Sequence, residues 1–281
     1  MLTIAGMSGS GKSTWLRQII RGIVDNNDTN TFEFLSFQFE MIGIDEVARD
    51  ISSKINLSIK QLYSAGKKLE DDQIALVDEA IKSLENMPIS IVDKISSVAE
   101  IRDTILYYYS ANELIKKDKG LVVTLDHTLL CKAMPNQDDR KLLEDLMRML
   151  VEIKTTIASM GGKFIGIILS QLNRDIESPE RVLNPKLHYP NKNDIFGSSA
   201  VYYSSDYVII IHRPAVIDGM GAWYGPGRDS MPMGYPVFNP LNGSQPLIYA
   251  HIIKERFGSP KILTYLDDLK HSKILELDTL K

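Results

Sequence analysis

The stretch LTIAGMSGSGKST, residues 2–14, decides which fold this chain adopts. It starts with an apolar run typical of a buried strand and continues directly into the pattern G-x-x-x-x-G-K-[S/T], which extends from Gly6 to Ser13. In a loop of this kind the glycines allow successive backbone N–H groups to converge on phosphate oxygens. Since the pattern follows a predicted strand and precedes a predicted helix, the stretch predicts a site for ATP or GTP, rather than a glycine-rich turn without a ligand.

Each position of this loop has an expected role. Lys12 should reach the β and γ phosphates, and the hydroxyl of Ser13 should coordinate Mg²⁺. Thr14 opens a helix whose N-terminal dipole favours an anion. The residues predicted to contact the nucleotide are Gly6, Ser8, Gly9, Ser10, Gly11, Lys12, Ser13 and Thr14.

Further apolar runs predict more strands. They are continuous rather than alternating, which is typical of buried strands in a parallel sheet. The runs cover residues 2–6, 31–37, 120–126, 163–171, 206–212 and 247–255. Residues 139–160 predict a helix, because Leu and Ile recur there at spacings of three and four until Gly161 and Gly162 end the pattern. Strands alternating with helices predict an α/β fold with a mostly parallel wound sheet and helices on both faces.

Residues 213–246 interrupt this alternation. They are rich in Gly, Pro and Asn and have no period of their own, so we expect a long irregular insertion. Its aromatic residues predict either a surface for a partner or nucleic acid, or a loop packed on itself, and the second is the more common arrangement. These aromatics are Trp223, Tyr224, Tyr235 and Phe238.

Composition excludes several classes of protein. The chain has 281 residues, of which 44% are hydrophobic, so it can bury a sizeable core. Cys131 is the single cysteine, so no internal disulfide can form, which fits a reducing cytoplasm. We find no apolar run of membrane-spanning length and no basic, cleavable leader, and we expect no membrane partner. A net charge of −4 implies that a nucleic acid would be held by a local groove.

Three polar residues at strand ends are candidates for the chemistry of the site. Asp126 ends the run 120–126, where a second carboxylate usually holds Mg²⁺ through water, although such an Asp can also be a helix cap. Glu40 closes another run and would polarise the attacking water. Gln171 ends the run 163–171 and would sense a γ phosphate. Taken singly, Glu40 and Gln171 fit a structural role at least as well.

Two cations near the end of the chain have the spacing of one strand face. In HIIKERFGSP, residues 251–260, Lys254 and Arg256 are two positions apart, and side chains of a strand alternate with a period of two. They would be aimed at an anion or, as is more common for such pairs, would be solvated.

Taken together, these segments resemble the RecA-like motor domain of the DnaB-type replicative helicases, hexameric proteins of bacteria and phages. The specific matches are SQLNR and the K-x-R-x-G element of IIKERFG, whereas the phosphate loop is generic. In TLDHTLL, His127 stands where that family usually has Tyr. The matching segments are LSFQFEM (35–41), PISIVDK (88–94), TLDHTLL (124–130), SQLNR (170–174), DIFGSSAVYYSSDYVIIIHR (194–213), IIKERFG (252–258) and LTYLDDLKHSKILEL (263–277).

The resemblance implies a role for each candidate. It implies a RecA-like P-loop NTPase fold with a C-terminal β-hairpin, and a catalytic carboxylate at Glu40. Lys254 and Arg256 would act in trans on the γ phosphate held by the next subunit, so a monomer would lack a complete site.

The resemblance also implies a DNA-binding loop over residues 192–199. Backbone N–H groups would grip one phosphate of single-stranded DNA, without reading its sequence. The family often has an Arg near this point, whereas this chain has Ile195 and Phe196, so Lys192 is the nearest cation. The residues predicted to contact DNA are Lys192, Gly197, Ser198 and Ser199.

The expected protein is therefore one motor domain, residues 1–281, that lacks the family's N-terminal primase-binding domain. It would use ATP and Mg²⁺, assemble with itself as a ring that the resemblance makes hexameric, and work with a primase or a loader in the cytoplasm, the host's if phage-encoded. Two alternatives stay open. One is a recombinase- or clock-type ATPase that does not unwind DNA, and the other is an ATP-binding scaffold with negligible hydrolysis, against which Glu40 argues.

Overall fold

A computed structural model describes residues 1–28, 31–39, 43–64, 68–128, 131–227 and 231–277. Its strands are β1 (Leu2–Gly6), β2 (Phe32–Gln38), β3 (Ile89–Val92), β4 (Gly120–Asp126), β5 (Lys163–Gln171), β6 (Tyr207–His212), β7 (Trp223–Tyr224), β8 (Tyr235–Pro236), β9 (Leu247–Glu255), β10 (Lys261–Asp268) and β11 (Lys273–Glu276). Its α-helices are α1 (Lys12–Asp25), α2 (Gly43–Ile55), α3 (Ile59–Leu62), α4 (Asp71–Glu85), α5 (Val98–Ala111), α6 (Asp139–Ser159), α7 (Pro179–Val182) and α8 (Ser198–Ser204).

Nine of these strands form one mostly parallel sheet, as the sequence predicts. Their order is β11-β10-β9-β6-β1-β5-β4-β2-β3, and β7 pairs with β8 separately. Every residue of β4 is buried, and β4 lies inside the sheet between two parallel neighbours, β2 and β5. The two last strands of the chain, β10 and β11, are adjacent and form the expected C-terminal hairpin.

Helix α6 confirms the strongest helical pattern of the sequence. The Asp138 side chain accepts a hydrogen bond from the Lys141 N–H and caps its start. The helix ends at Ser159, and Gly161 follows with a φ of +82°, a conformation that favours glycine. Its apolar stripe is buried, as its spacing predicts; the stripe includes Leu142, Leu146, Leu150, Ile153 and Ile157.

The expected direction of one strand is wrong. The apolar run 247–255 predicts another parallel strand, but β9 is antiparallel to both β6 and β10. The reason is the connection that precedes it. In its described part, residues 213–246 contain a 3₁₀ turn at Pro214–Val216 and the β7–β8 pair, rather than the crossover helix that a parallel connection needs.

The chain divides into two compact units. The first comprises Met1–Lys12, Leu169–Asp267 and the segment that begins at Ile274. The second comprises Ser13–Ile168 and Asp268–Lys273. The single motor domain expected from the sequence stays a prediction. Within the described ranges, none of the helices combines the length and the apolar character needed to cross a membrane.

The first unit has an aromatic core that the insertion helps to build. Tyr224 is fully buried and its ring lies 5.1 Å from that of Tyr249 in β9, while Tyr235 lies 5.7 Å from Tyr249. Leu247 completes the cluster. Tyr224 and Tyr235 therefore pack on their own unit and do not form an exposed nucleic-acid platform. Phe238 stays partly exposed.

Candidate nucleotide and nucleic-acid site

The phosphate loop is shaped by its glycines. A Cβ atom on Gly6 would lie 2.7 Å from the carbonyl oxygen of Ile211 and 2.4 Å from Oγ of Ser10, so only glycine fits at the end of β1. Gly9 and Gly11 have φ values of +71° and +97°, which side chains disfavour. These conformations form the loop that the sequence predicts between β1 and α1.

Two polar side chains of this loop are folded inward. The ammonium of Lys12, which is almost buried, donates to the carbonyl oxygens of Gly6 at 2.9 Å and Met7 at 2.7 Å. The hydroxyl of Ser10 is buried, and the described residues offer it no hydrogen-bond partner. A buried hydroxyl without a partner costs free energy unless a ligand satisfies it. A phosphate oxygen is an acceptor that suits both groups.

The start of α1 carries a further cation. Arg17 donates from Nη2 to the hydroxyl of Thr14 at 3.2 Å and from Nε to the carbonyl oxygen of Ser13 at 3.4 Å. Ser13 and Thr14 thus lie in the first turn of the helix, where the dipole adds positive potential.

Arg213 also reaches the phosphate loop, and sequence reasoning missed it. It follows β6, donates from Nη1 to the carbonyl oxygen of Gly9 at 3.3 Å, and forms an ion pair with Asp267. The Asp267 side chain is only 4% exposed, so its carboxylate is shielded from water. The sequence offered one sign of this role, an arginine directly after the apolar run 206–212. Its two partners, however, lie 204 and 54 residues away along the chain.

In the second unit, Asp126 occupies the predicted place at the end of β4. It is buried, lies opposite Gln38 in the register of β2, and its carbonyl oxygen accepts from the N–H of Phe39 at 2.7 Å. The hydroxyl of Thr128 is buried and has no partner among the described residues, so it is a further polar group at this strand end. Glu40 lies outside the described residues.

Gln171 is joined directly to the predicted DNA-binding loop. Its carbonyl oxygen accepts from the N–H of Phe196 at 3.0 Å, and Leu172 pairs with Ile195 in an antiparallel bridge. The N–H of Asn173 donates to the carbonyl oxygen of Asp194 at 2.6 Å. The predicted γ-phosphate sensor and the predicted DNA loop therefore share one short backbone ladder, which the sequence did not reveal.

An ion pair anchors the predicted DNA-binding loop, and sequence reasoning also missed this pair. Arg181 of α7 donates from both terminal nitrogens to the carboxylate of Asp194, whose side chain is 5% exposed. The same carboxylate accepts from the N–H of Asn191 at 2.8 Å. The bond to Asp194 raises the pKa of Arg181 above its usual value, so the guanidinium is firmly charged.

The residues predicted to contact DNA lie at both ends of this loop. Lys192 and Ser199 are exposed, as a contact with a strand requires. Gly197 has a φ of +61° and starts α8, so Ser198 and Ser199 are the first residues of that helix. Ile195, which stands near the position where the family often has Arg, is fully buried and contributes to packing instead.

Lys254 and Arg256 lie against the end of α8 in the first unit. The Lys254 ammonium donates to the carbonyl oxygen of Tyr202 at 2.6 Å. Burial lowers its pKa against the opposing charge of Asp206, and Arg256 contributes a smaller lowering. Arg256 forms an ion pair with Asp206, yet its side chain remains 60% exposed. Both cations therefore have partners in their own subunit, and Arg256 also remains accessible from outside.

Comparisons with known proteins point to one family. The family model for the DnaB-like helicase C terminal domain matches residues 1–236. Among solved structures, a chain described as an "ATPase Domain" is 18% identical with a TM-score of 0.71, and the match covers 99% of this chain and 84% of that chain. A search of curated protein sequences found no match.

A second solved structure gives the same result. "The Structure Of A DnaB-Like Replicative Helicase And Its Interactions With Primase" is 17% identical with a TM-score of 0.73, and the match covers 99% of this chain. This chain spans 57% of the length of that protein. At such identities the two likenesses show the fold, and they confirm the RecA-like α/β architecture predicted from the sequence.

Proposed function

Since this chain belongs to the family of DnaB-like helicase C-terminal domains, we propose that it is the motor of a replicative helicase that hydrolyses ATP to move along single-stranded DNA and unwind duplex. The observation that carries the proposal is the phosphate loop. Its glycines adopt the backbone conformations of such a loop, and Ser10 and Lys12 present a hydroxyl and an ammonium that an anion would satisfy.

The loop residues fit a nucleoside triphosphate. We propose that backbone N–H groups from Ser8 to Thr14 hold the phosphates, with Lys12 moving from the loop carbonyls to the β and γ phosphates. ATP would supply the phosphoryl group that is transferred to water. Arg213 and Asp267 would keep Gly9 in place while the loop is loaded.

Ser13 and Asp126 are the proposed protein ligands of Mg²⁺. In the described part of the chain, no three His, Cys, Asp or Glu side chains form a group able to hold a metal ion. That fits Mg²⁺, which usually takes few ligands from a protein and the rest from phosphates and water. The ion would supply positive charge against the phosphates. The burial of Asp126 at the end of β4 supports its role, because a buried carboxylate is stabilised by a nearby cation.

The remaining roles follow from the family. Glu40 would orient the attacking water and Gln171 would respond to the γ phosphate. Lys254 and Arg256 would serve the nucleotide of a neighbouring copy in a ring, of six copies by family resemblance. The exposure of Arg256 supports this role, since a cation that acts in trans must be reachable from outside.

Single-stranded DNA is the proposed nucleic-acid partner. Lys192, Gly197, Ser198 and Ser199 would contact its phosphates, and a loop of this kind tolerates any sequence. The ladder between Gln171 and Phe196 supports communication between nucleotide and DNA. By resemblance alone, we also propose that the protein works with a primase or a loader and that it is located in the cytoplasm.

The test is the ATPase rate as a function of protein concentration, with and without single-stranded DNA, alongside a sizing experiment. We expect the rate per subunit to rise steeply where oligomers appear, because Lys254 and Arg256 then reach a neighbour, and to rise again with DNA. Unwinding of a forked duplex separates a helicase from an ATPase that only responds to DNA.

Two outcomes would overturn the proposal. A rate independent of both concentration and DNA would mean that each subunit holds a complete site. A rate of zero at saturating single-stranded DNA would indicate a protein that binds ATP without hydrolysing it.

A further inference from the structure

Two lysines of the first unit share one aromatic ring. The ammonium of Lys254 lies 4.9 Å from the ring centroid of Tyr202, and that of Lys192 lies 5.8 Å from the same centroid. Both distances fall within the range in which a cation is attracted to a tyrosine ring. One of these lysines is a proposed DNA contact, and the other is a proposed trans-acting cation.

Tyr202 also holds Lys254 through its backbone. The Lys254 ammonium donates to the Tyr202 carbonyl oxygen at 2.6 Å, so that this cation is fixed from two sides by one residue. Tyr202 belongs to α8, a helix of seven residues. The same short element thus joins the end of the DNA loop to the support of Lys254.

Arg256, the second proposed trans-acting cation, is held by a residue next to α8. The guanidinium of Arg256 pairs with the carboxylate of Asp206, and its backbone N–H donates to the carbonyl oxygen of Asp206 at 3.1 Å. Asp206 lies just beyond α8. Residues 192–206 therefore contain Lys192 at one end and the supports of both trans-acting cations at the other.

Like charges at one ring influence each other. Two ammonium groups on the same ring repel, and a phosphate that neutralises Lys192 removes that repulsion from Lys254. The attraction between the ring and Lys254 then acts unopposed. A cleft of about 240 Å³, lined by Lys192, Tyr202 and Lys261 among others, leaves room for a phosphate group beside the ring.

We propose that Tyr202 is a positioning residue, which makes the placement of Lys254 depend on whether Lys192 is bound to a nucleic-acid phosphate. DNA bound by one subunit then orders the cation that this subunit offers to its neighbour, and hydrolysis next door accelerates. This inference rests on the proposed function, because it needs Lys192 at DNA and Lys254 at a neighbour's nucleotide.

The test compares three variants of the full chain with the parent protein. Tyr202→Leu removes the ring but keeps the backbone carbonyl, Tyr202→Phe keeps the ring, and Tyr203→Leu is the matched control. Tyr203 is the next residue of the same helix, is 77% exposed, and its ring contacts that of Tyr202 at 5.9 Å. Each variant is assayed for ATPase with and without a poly-dT oligonucleotide, and for oligonucleotide affinity by fluorescence anisotropy.

We expect Tyr202→Leu to lose about fivefold in the stimulation of kcat by the oligonucleotide, since one cation–π contact is removed. KM for ATP and affinity for the oligonucleotide should stay close to the parent values. Tyr202→Phe and Tyr203→Leu should retain the full stimulation. A purely structural role would instead lower stability or affinity and would not be rescued by Tyr202→Phe.

A second measurement needs no change inside the helix. In the parent protein, oligonucleotide binding should slow the acetylation of Lys254, followed by mass spectrometry, because its ammonium is held more tightly. In Lys192→Met, compared at equal oligonucleotide occupancy, this slowing should disappear. Lys186, an exposed lysine outside the loop, gives the reference rate.

The outcomes separate the inference from the proposed function. If the parent is stimulated by DNA and Tyr202→Leu is stimulated equally, or if Tyr202→Phe loses as much as Tyr202→Leu, the inference is overturned and the proposed function stands. Unchanged acetylation of Lys254 on DNA binding also overturns it. If the parent shows no stimulation at all, the proposed function fails and the inference fails with it.

Discussion

The phosphate loop and the segment with the two proposed trans-acting cations, Lys254 and Arg256, are both proposed anion sites, but they are built differently. In the loop, Lys12 donates to carbonyl oxygens five and six residues away. In the cation segment, Lys254 and Arg256 find their partners 52 and 50 residues away, in and just beyond α8. The loop therefore takes its shape mainly from its own residues, although Arg213 contacts it at Gly9, whereas the cations depend on another part of the unit.

This difference has a consequence for regulation. A loop shaped mainly by its own glycine conformations, with Arg213 contacting it at Gly9, depends little on the segment proposed to bind DNA. Cations fixed by side chains of a distant segment respond to whatever that segment binds. The proposed helicase thus combines a constant nucleotide site with a catalytic contribution that can be switched by DNA and by a neighbour.

The largest expected effect is the removal of a cation. Arg256→Ala should lower the ATPase rate by about 1,000-fold, because arginines that act in trans contribute on that order to phosphoryl transfer. ATP affinity should stay near the parent value, since Arg256 is proposed to act in the neighbour's site. Turnover and nucleotide binding, measured on the same preparation, check this prediction. Equal losses in both would mean that Arg256 acts in its own subunit and would remove the contrast between the two regions.

In the phosphate loop, by contrast, a substitution should weaken ATP binding. Gly6→Ala should weaken ATP binding by roughly 30-fold, or about 2 kcal/mol, because the new Cβ meets the Ile211 carbonyl oxygen. The loss should be the same in monomers and in assemblies. Gly22→Ala in α1 is the matched control, since a Cβ there meets nothing within 4 Å. It should leave binding unchanged, and isothermal titration of both variants provides the measurement. An unaffected Gly6→Ala would show that the loop is not fixed by this glycine.

Acid should weaken the region behind the cations. His188, His212 and His251 are buried in the first unit, and His251 belongs to β9, the strand that carries Lys254. Burial, with the positive charge of Arg181 and against the negative charge of Asp194, lowers the pKa of His188 to about 4. Burial, together with His251 and His188, also lowers the pKa of His212.

The direction of this pH effect follows from proton binding. Well above pH 6.5, His188 is neutral in both the folded and the unfolded state and contributes no pH dependence. Below that pH the unfolded chain binds a proton that the folded chain refuses, so stability falls until the folded pKa near 4 is reached. His188 alone should cost about 1 kcal/mol between pH 7.5 and 5.5.

Thermal unfolding across this pH range, with hydrogen exchange of β9 and β1, checks the effect. His188→Gln, which cannot bind a proton, should reduce the pH dependence by the contribution of His188 and leave that of His212. A midpoint that does not fall toward pH 5.5 would contradict the prediction.

The smallest expected effect concerns DNA. Lys192→Glu should weaken single-strand binding by about threefold and lower the salt dependence by about one phosphate contact per subunit. Lys186→Glu makes the same change of charge outside the loop and should have little effect on either quantity. Affinities measured over a series of salt concentrations check this prediction. If the slope of log affinity against log salt concentration is identical for the parent and Lys192→Glu, this loop is not part of the DNA site.

Local rules explain what the sequence predicted well. The loop at residues 6–14 requires glycines at fixed places, β4 is an unbroken buried run, and α6 repeats its leucines and isoleucines with the helical period. Each of these signals is complete within a short window. The family resemblance added the roles of Lys254 and Arg256, which no window could supply, and those roles stay predictions together with that of Glu40.

By itself, then, the sequence determined the phosphate loop, the buried strands and the α/β class. Only the tertiary structure decided that β9 is antiparallel, that Arg213 reaches Gly9, and that Tyr202 lies beside both Lys192 and Lys254. The physical reason is distance along the chain. Backbone conformation and hydrophobic period are properties of neighbours in sequence, whereas strand direction, ion pairs and ring contacts join residues that meet only after folding.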